Sequence, residues 1–341
     1  MAWDKKMPSN PVVAVAGATG AVGREMLLVL EQRKFPASRV VALASSRSAG
    51  KKLPFSGGEL TVEEMTPASF AGVDIALFSA GASVSKQLRD SVVAAGCVMI
   101  DNSSAFRMDD DVPLVVPEVN PEDLAWHSGV VANPNCSTIQ MVVTLKPLDE
   151  LAEIKRVVVS TYQAASGAGA AAMEELYSQS RDFLMGQELH VENFAHRIAF
   201  NCIPHIDVFM KDGSTKEEWK MVVETQKIMH RSDLKVSVTC VRVPVLRCHS
   251  EAINVEFAEP AFLGAVMEVL GDAAGVTMMD DPESKTYPMP ALLEGTDDVY
   301  VGRLRRDDSV PYGFSFWCVA DQLRKGAALN AVQIAEALLG G

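Results

Sequence analysis

The feature of this sequence that most restricts its fold is a short apolar run followed by regularly spaced glycines. Val12–Ala16 consists of β-branched and small residues, the segment GATGAVG occupies 17–23, and an apolar helical pattern begins at Met26. This order predicts a strand, a tight turn and a helix. Glycines in such a turn let backbone amides and the helix N-terminus approach a pyrophosphate, because no Cβ blocks the ligand. A tight turn without a ligand would show the same pattern.

Further strands are predicted downstream at intervals that leave room for helices or loops. They are Arg39–Ala44, Asp74–Phe78 and Cys97–Ile100. Strands that alternate with helices are typical of a doubly wound parallel sheet of the Rossmann type. We therefore predict a dinucleotide-binding first domain over residues 1–134.

The second half of the chain has a different pattern, and a length of 341 residues favours two domains. Its strand-like runs are Arg156–Tyr162, Leu234–Val243 and Ala252–Phe257, and helical composition is found at Ala170–Leu184 and Lys216–Met229. We predict an α/β architecture overall, in which the second domain, 135–320, is α+β with a mixed sheet covered by helices on one face. The C-terminal segment, 321–341, contains an amphipathic helix that we expect to pack back on the first domain.

Charge and cysteine usage exclude several classes of protein. The formal net charge of −13 disfavours nucleic acid and membrane surfaces as partners. No apolar run reaches the roughly 18–20 residues of a membrane helix. The six cysteines form no CxxC pair and no zinc-ligand spacing, so we expect neither a metal nor a disulfide framework, and we expect a reducing, cytoplasmic environment.

The residues after the second strand indicate which cofactor is bound. NAD sites usually carry Asp or Glu there, whereas this chain has Ser-Ser-Arg-Ser at 45–48. Arg47 would pair with a 2′-phosphate and Ser48 would hydrogen bond to it, so NADP is favoured over NAD. A solvated basic turn is the alternative interpretation.

Cys136 is the cysteine with the strongest functional signal. It follows Asn135, which can cap a helix starting at Ser137, and Ser137 and Gln140 have capping-box spacing. A helix N-terminus stabilises a thiolate over a thiol, which suits a nucleophile. The alternative is a buried structural cysteine.

Motifs along nearly the whole chain resemble those of the aspartate-semialdehyde dehydrogenase family. They include GATGAVG at 17–23, SSRSAGK at 45–51, FSAG at 78–81, DNSSAFR at 101–107, NPNCSTIQ at 133–140, STYQAASGAG at 160–169, IAFNCIPHID at 198–207, CVRVPVLRCHSE at 240–251 and DQLRKGAALNAVQIAE at 321–336. The IAFNCIPHID segment resembles the branch found in Gram-positive and many other bacteria.

The resemblance implies an NADPH-dependent reductive dephosphorylation of L-aspartyl-4-phosphate to L-aspartate 4-semialdehyde, in lysine, threonine, methionine and diaminopimelate biosynthesis. Cys136 matches the residue that forms the acyl-thioester. His249 matches the acid/base that moves the proton to and from the thiol and the hemiacetal oxygen. Gln163 matches the glutamine that orients the intermediate.

The resemblance also implies a set of substrate ligands. Arg242 would bind the α-carboxylate, and Glu217 would receive the α-ammonium. Arg107 and Lys220 would bind phosphate, with Asn135 as a neutral donor nearby. Without the resemblance, Glu217 and Lys220 would be a solvated ion pair three residues apart on a helix. The role of Arg247 is left open.

The predicted cofactor ligands follow the same motifs. They are Gly17, Thr19, Gly20, Ala21, Val22, Gly23, Arg47, Ser48, Ser79, Ala80, Gly81, Ser166, Gly167, Gln322 and Asn330. The resemblance implies a homodimer through the second domain, with 170–195 as a contributor, while a tetramer stays open.

The sequence leaves two alternatives to this function. One is an N-acetyl-γ-glutamyl-phosphate reductase, but such an enzyme has no use for an acidic partner such as Glu217. The other is a non-catalytic paralogue, which would be expected to lack Cys136 or His249.

Overall fold

The computed structural model describes Trp3 and residues 5–340, which form two compact units. Unit 1 contains the residues up to Asn135 and those from Ala327 onward, and unit 2 is Cys136–Gly326. Residues 1, 2 and 4 of the predicted first domain, and Gly341 of the predicted C-terminal segment, lie outside the described residues.

The structure divides the predicted C-terminal segment 321–341. Its first six residues belong to unit 2 because their polar side chains are bonded there: Asp321 Oδ2 accepts from Arg247 Nε at 2.7 Å, and Gln322 Oε1 accepts from the Cys248 backbone at 2.8 Å. The rest of the segment belongs to unit 1. Asn135, predicted to open the second domain, instead closes this part of unit 1.

Unit 1 is built on a six-stranded, wholly parallel sheet in the order β5-β2-β1-β6-β7-β8. Its elements are β1 (Val12–Ala16), α1 (Ala21–Gln32), β2 (Arg39–Ala44), a hairpin of β3 (Lys52–Phe55) and β4 (Gly58–Thr61), β5 (Glu63–Glu64), β6 (Ile75–Phe78), α2 (Ala82–Ala94), β7 (Val98–Asp101) and β8 (Val130–Ala132). The predicted doubly wound parallel sheet is confirmed.

The core of unit 1 combines residues from both ends of the described chain. A π-helical turn, Arg324–Ala328, leads into α8 (Leu329–Leu338). Apolar residues of α8 such as Val332 and Ile334 share one buried cluster with Val13 of β1 and Met26 of α1. The sheet order changes direction between β1 and β6, so the helices that follow these strands begin beside each other at the sheet's carboxyl edge.

Unit 2 is built on a six-stranded mixed sheet in the order β10-β9-β11-β14-β13-β12. Its elements are α3 (Cys136–Leu151), β9 (Ile154–Gln163), α4 (Ala170–Leu184), α5 (Lys216–Ile228), β10 (Lys235–Arg242), β11 (His249–Phe257), α6 (Leu263–Asp272), β12 (Val276–Met278), α7 (Pro290–Leu293), β13 (Val299–Asp307) and β14 (Gly313–Ala320). The β10–β9 and β12–β13 pairs are parallel and the rest are antiparallel.

Alternate residues of the unit 2 strands are buried, as a sheet covered on one face requires. Val157, Val159 and Ile253 are at most 1% exposed, whereas Tyr162 is 39% exposed. Helices α3, α5 and α6 pack on this sheet. Among the described residues, no helix combines the length and the apolar character needed to cross a membrane.

Candidate active site

Cys136 is the first residue of α3 and is partly exposed. The prediction that the helix starts at Ser137 is wrong by one residue. The predicted capping box is also wrong, because Ser137 lies inside the helix and is not its N-cap residue. Gln140 has another partner: its Nε2 lies 3.9 Å from Cys318 Sγ. The sulfur of Cys136 is therefore carried on the first helical turn itself, where backbone N–H groups stabilise negative charge.

Three strand ends bring the other predicted catalytic side chains together in unit 2. Gln163 ends β9, Arg242 ends β10, and the two residues are register partners in the parallel pair. His249 begins β11, which runs antiparallel to β9. All three side chains therefore belong to one edge of the sheet, and each is at most 6% exposed.

The backbone of Ala164 holds both His249 and Arg242. Its N–H donates to His249 Nδ1 at 3.1 Å, and its C=O accepts from Arg242 Nη1 at 2.6 Å. Since Nδ1 accepts a hydrogen bond, the proton of the neutral imidazole is on Nε2. Complete burial, and then the charge of Arg242, hold the pKa of His249 well below 6.5. His249 is therefore a neutral ring with an Nε2–H donor.

Arg242 is a buried cation without a carboxylate partner in the described chain. Among the described residues its side chain makes one hydrogen bond, to the neutral carbonyl of Ala164, and no ion pair. Burial lowers the pKa of Arg242, while the charges of Glu217 and Cys136 act in the opposite direction. Cys136 is thus within electrostatic range of this guanidinium. A buried guanidinium in this state favours an anionic ligand.

Two glycines allow close packing around these groups. A Cβ at Gly167 would lie 2.9 Å from Arg242 Nη1 and 3.0 Å from His249 Nε2. A Cβ at Gly326 would lie 2.9 Å from Cys136 Cβ. Gly167 was among the predicted cofactor residues, but the requirement at Gly326 was not predicted, because only the folded chain brings it to Cys136.

Glu217 and Lys220 lie on one face of α5, where they form an ion pair. Lys220 Nζ contacts Glu217 Oε2 at 2.9 Å and Asp207 Oδ2 at 2.7 Å. The two carboxylates outweigh burial and raise the pKa of Lys220. Gln163 Nε2 lies 3.4 Å from Glu217 Oε1, which connects this pair to the end of β9. The alternative of a solvated pair does not fit, since the Glu217 and Lys220 side chains are 7% and 13% exposed.

Arg247, whose role was left open, has a structural partner. It bonds to Asp321, whose side chain is fully buried and also accepts from the Gly295 backbone at 2.7 Å. The next residue, Gln322, accepts from the Cys248 backbone and donates to Ser166 Oγ. Arg247 therefore helps to place Gln322 and Ser166, two of the predicted cofactor residues.

Unit 1 contains the remaining predicted substrate residues. Arg107 donates through Nε to the Asn133 carbonyl and through Nη2 to the Asn102 carbonyl, both at 2.9 Å. Asn330 is fully buried and donates to the side chain of Asn133 at 2.6 Å. These bonds fix the segment that leads to Asn135, which is 6% exposed. Direct contact of Asn330 with the nicotinamide stays a prediction.

The predicted pyrophosphate site lies at the ends of β1 and β6. Gly17 has a φ of 88°, and a Cβ there would lie 2.3 Å from the Ser79 carbonyl, so the two glycine-containing loops pack backbone to backbone. Gly20 and Gly81 are the N-cap residues of α1 and α2, and neither helix has a side-chain cap or an acidic first turn. Their N-terminal amides therefore suit an anion. Thr19, Ala21, Val22, Gly23 and Ala80 complete these loops.

Arg47 and Ser48 lie in a short 3₁₀ turn directly after β2. Arg47 is exposed and forms no ion pair with any described residue. Lys51 Nζ lies 3.4 Å from Ser48 Oγ, which adds a second cation to the turn. Among the described residues, no group of three or more His, Cys, Asp or Glu side chains is arranged to hold a metal ion.

Both units match family models of known proteins. Residues 12–127 match the semialdehyde dehydrogenase NAD binding domain, and 145–325 match the semialdehyde dehydrogenase dimerisation domain. The aspartate-semialdehyde dehydrogenase of Aquifex aeolicus is 56% identical over 331 residues, which cover 96% of this chain and 97% of that protein. The chain belongs to the aspartate-semialdehyde dehydrogenase family.

Solved structures of aspartate-semialdehyde dehydrogenases share this fold. Aspartate semialdehyde dehydrogenase II of Vibrio cholerae, complexed with ASA, superposes with a TM-score of 0.95 at 47% identity, covering 98% of this chain and 99% of that one. The enzyme of Candida albicans, solved with NADP, has a TM-score of 0.75 at 28% identity and covers 97% of this chain and 98% of that one.

The aspartate-semialdehyde dehydrogenase motifs led to most of the side chains in this cluster but not to the groups that orient them. Ala164, Asp207 and Gly326 were not singled out. Their contributions are a backbone dipole, a second carboxylate on Lys220 and the absence of a Cβ beside Cys136. The residues belong to quoted motifs, yet nothing in their type indicates these roles.

Proposed function

We propose that this protein catalyses the NADPH-dependent conversion of L-aspartyl-4-phosphate to L-aspartate 4-semialdehyde and phosphate, reversibly, through a thioester on Cys136. The observation that carries the proposal is Arg242, a buried cation that forms no ion pair with any described residue and lies within electrostatic range of a partly exposed cysteine at a helix N-terminus. An anionic acyl substrate bound by this guanidinium would present its carbonyl to the sulfur.

In the first step the Cys136 thiolate attacks the acyl carbon of the acyl phosphate. A C–S bond forms, the bond between the acyl carbon and the oxygen that bridges it to phosphorus breaks, and inorganic phosphate leaves with that oxygen and the electron pair. The first turn of α3 stabilises the thiolate before attack, and Gly326 leaves the space beside Cys136 that this geometry requires.

In the second step the thioester carbon is reduced. NADPH, when held by unit 1, would supply the hydride and become NADP⁺. The resulting oxyanion expels the thiolate as the C=O bond re-forms, so neither event requires proton transfer at Cys136. His249 suits this step as a neutral Nε2–H donor to the oxyanion, which is stabilisation by a pre-positioned dipole. This geometry favours hydrogen-bond donation over the proton transfer expected from the sequence.

Substrate recognition follows from charge. Arg242 binds the α-carboxylate, and Glu217 receives the α-ammonium while Gln163 stays hydrogen bonded to it. Lys220 is a phosphate ligand whose charge is shared with Asp207 and Glu217. Arg107, held by two carbonyls, and Asn135 are the phosphate ligands from unit 1.

The residues of unit 1 fit a dinucleotide phosphate. The two uncapped helix N-termini at Gly20 and Gly81 supply amides for the pyrophosphate. The exposed Arg47 and the partly exposed Ser48 supply a cation and a hydroxyl for the 2′-phosphate, which is the basis for proposing NADP rather than NAD. The Candida albicans relative was solved with NADP. Ser166, Gly167, Gln322 and Asn330 are proposed for the nicotinamide end.

A homodimer is the proposed assembly. Residues 145–325 match a dimerisation domain, and the open side of the unit 2 sheet exposes Tyr162. Apolar side chains are also exposed along 177–210, including Phe183 at 44% and Leu184 at 76%. Exposed apolar side chains that lie close together in this way are typical of a protein interface. The free cysteines are consistent with the proposed cytoplasmic location.

The test is an assay of the purified protein with L-aspartate 4-semialdehyde, phosphate and NADP, followed by NADPH absorbance. Turnover should require phosphate, exceed that with N-acetyl-glutamate 5-semialdehyde, and fall more than about 1000-fold in Cys136→Ala. Cys202→Ala removes an exposed cysteine and is the matched control, expected to keep full activity. Turnover by Cys136→Ala, or preference for the acetylated homologue, would overturn the proposal.

A further inference from the structure

Behind the strand ends of the active site, unit 2 contains a second, fully buried polar layer. Glu251 is two residues after His249 on β11, so both side chains are on the same face of the sheet. Its register partners are Thr161 on β9 and Cys318 on β14. Glu251 is 0% exposed and forms no ion pair with any described residue.

Gln140 and Cys318 are the polar neighbours of this carboxyl group. Cys318 Sγ donates to Glu251 Oε2 at 3.7 Å, and Gln140 Nε2 donates to Cys318 Sγ at 3.9 Å. Interactions with the Cys318 and Gln140 side chains lower the pKa of Glu251 and so partly oppose the effect of burial. Gln140 is one helical turn after Cys136, on the same face of α3.

Two oxygens in this layer have no donor within the described part of the chain. They are Glu251 Oε1 and Gln140 Oε1. If Glu251 were ionised, both would be acceptors and neither could satisfy the other, and a full charge would be buried without a partner. A single proton on Glu251 Oε1 would remove both defects, because a protonated carboxyl oxygen is a donor and Gln140 Oε1 is an acceptor without a donor.

We propose that Glu251 is a neutral positioning residue whose acid proton, donated to Gln140, closes a ring of three hydrogen bonds with Cys318. In this ring Glu251 donates to Gln140, Gln140 donates to Cys318, and Cys318 donates to Glu251. The ring connects the helical turn that carries Cys136 to the strand that carries His249. The ring therefore fixes the position of the Cys136 sulfur relative to the Nε2–H donor of His249. The effect of the ring on catalysis rests on the proposed function.

The surroundings support a neutral acid. Burial raises the pKa of Glu251 well above 4.5, and burial with the nearby carboxyl raises the pKa of Cys318, which stays a thiol and therefore a donor. The other titratable groups near Glu251 are Cys240 on β10, whose pKa burial also raises, and His249 on its own strand. None of them supplies a cation.

Two substitutions separate a neutral ring from an ionised carboxylate. E251Q keeps a donor and an acceptor without charge, so we expect kcat within about threefold of wild type. E251M keeps the volume but opens the ring, and we expect kcat to fall about tenfold or more, on the scale of a misplaced catalytic group. E256M on the same strand, where the side chain is 21% exposed, is the matched control and should leave kcat unchanged.

Two further measurements do not depend on the reaction. In a Cys202→Ala background, the pH profile of Cys136 alkylation from about pH 6 to about pH 9 should coincide for wild type and E251Q and shift for E251M. The thermal midpoint of E251Q relative to wild type should rise with pH above about 4.5, because wild type must keep a proton that its unfolded chain loses.

Three outcomes would overturn the proposal. One is that E251Q is as impaired as E251M, and another is that E251M has wild-type kcat and alkylation. The third is a midpoint difference between E251Q and wild type that does not change with pH, since Glu251 would then be ionised in the fold. Failure of the proposed function is distinguishable, because wild type itself would then lack turnover while the alkylation and midpoint results would stand.

Discussion

At the scale of single residues, the roles of the charged groups depend on how each charge is already satisfied. Arg107 is held by two carbonyls and Lys220 by two carboxylates, whereas Arg242 makes one bond to a neutral carbonyl. Arg47 is exposed and outside any ion pair of the described chain. Arg242 and Arg47 have neither a carboxylate partner nor a second carbonyl ligand among the described residues, so they gain most from an anionic ligand.

Arg47→Ala should weaken NADP much more than NAD. A charge-assisted hydrogen bond contributes about 1.5–3 kcal/mol, so we expect the KM for NADP to rise roughly 10- to 100-fold while the KM for NAD stays nearly constant. Steady-state kinetics with both cofactors measure this difference. An equal loss for both would show that Arg47 does not bind the 2′-phosphate.

At the scale of elements, the site depends on where strands and helices end. Gln163, Arg242 and His249 stand at strand ends, and Cys136 stands at a helix start. The turn Ala165–Ala168 packs against these strand ends through Gly167, which leaves no room for a Cβ beside Arg242 and His249. A displacement of that turn would therefore move several of these side chains at once.

Gly167→Ala tests the packing of this turn. The new Cβ would lie within 3.0 Å of both Arg242 and His249, so one of them must move, and we expect kcat/KM to fall about 100-fold. Gly264→Ala on α6 is the matched control, since nothing lies within 4 Å of its Cβ position and alanine favours a helix. Kinetics that are unchanged in Gly167→Ala would contradict the described packing.

Prediction from sequence succeeded where local pattern alone determines the element. The strands Val12–Ala16 and Arg39–Ala44 and the helix Ala170–Leu184 have the predicted bounds. The helix that starts at Cys136 continues to Leu151 through Pro147, so the loss of one backbone donor does not end it. The hairpin partner strands β13 and β14 were not predicted.

The missed strands and contacts share a physical cause. In β13, Gly302 and Arg305 interrupt the apolar alternation, and the register with β14 shifts between them. β14 is paired on its other side with β11, a strand distant in sequence, so local pattern does not determine its place in the sheet. In the candidate site, too, local sequence identifies some residues, while the fold determines the position of others. Motifs identified its reactive side chains, whereas the Ala164 peptide and the Asp207 carboxylate reach their targets only through the fold.

At the scale of the whole molecule, burial of ionisable groups makes stability depend on pH. His249 is neutral and fully buried, with its pKa held well below 6.5. Below about pH 6.5 the unfolded chain takes up a proton on this residue that the folded chain does not, so stability is lost as pH falls.

His249→Gln should therefore reduce the acid sensitivity of the fold. The free energy of unfolding of the variant relative to wild type should increase as pH decreases below about 6.5, with a limiting slope of about 1.4 kcal/mol per pH unit. Thermal unfolding monitored at several pH values measures it. A difference that stays constant with pH would show that His249 titrates normally in the folded protein.

The apolar surface along 177–210 gives a prediction about assembly. A double substitution, Phe183→Glu with Leu184→Glu, places charge on a surface proposed to be buried in the homodimer, and we expect it to produce monomers. Light scattering coupled to size-exclusion chromatography measures the mass. Leu28→Glu, at a leucine 42% exposed on α1, is the matched control. A double variant with an unchanged mass would contradict this surface as the interface.

The shared core of unit 1 has a consequence for synthesis on the ribosome. Val332 and Ile334 complete a cluster begun by Val13 and Met26, yet about 190 residues of unit 2 are translated in between. At ~5–20 residues per second this interval lasts on the order of tens of seconds. During it the nascent chain carries a parallel sheet whose apolar face lacks its final helix, while unit 2 can form as one uninterrupted stretch. Chaperone binding to the nascent chain should therefore be concentrated on the nucleotide-binding half.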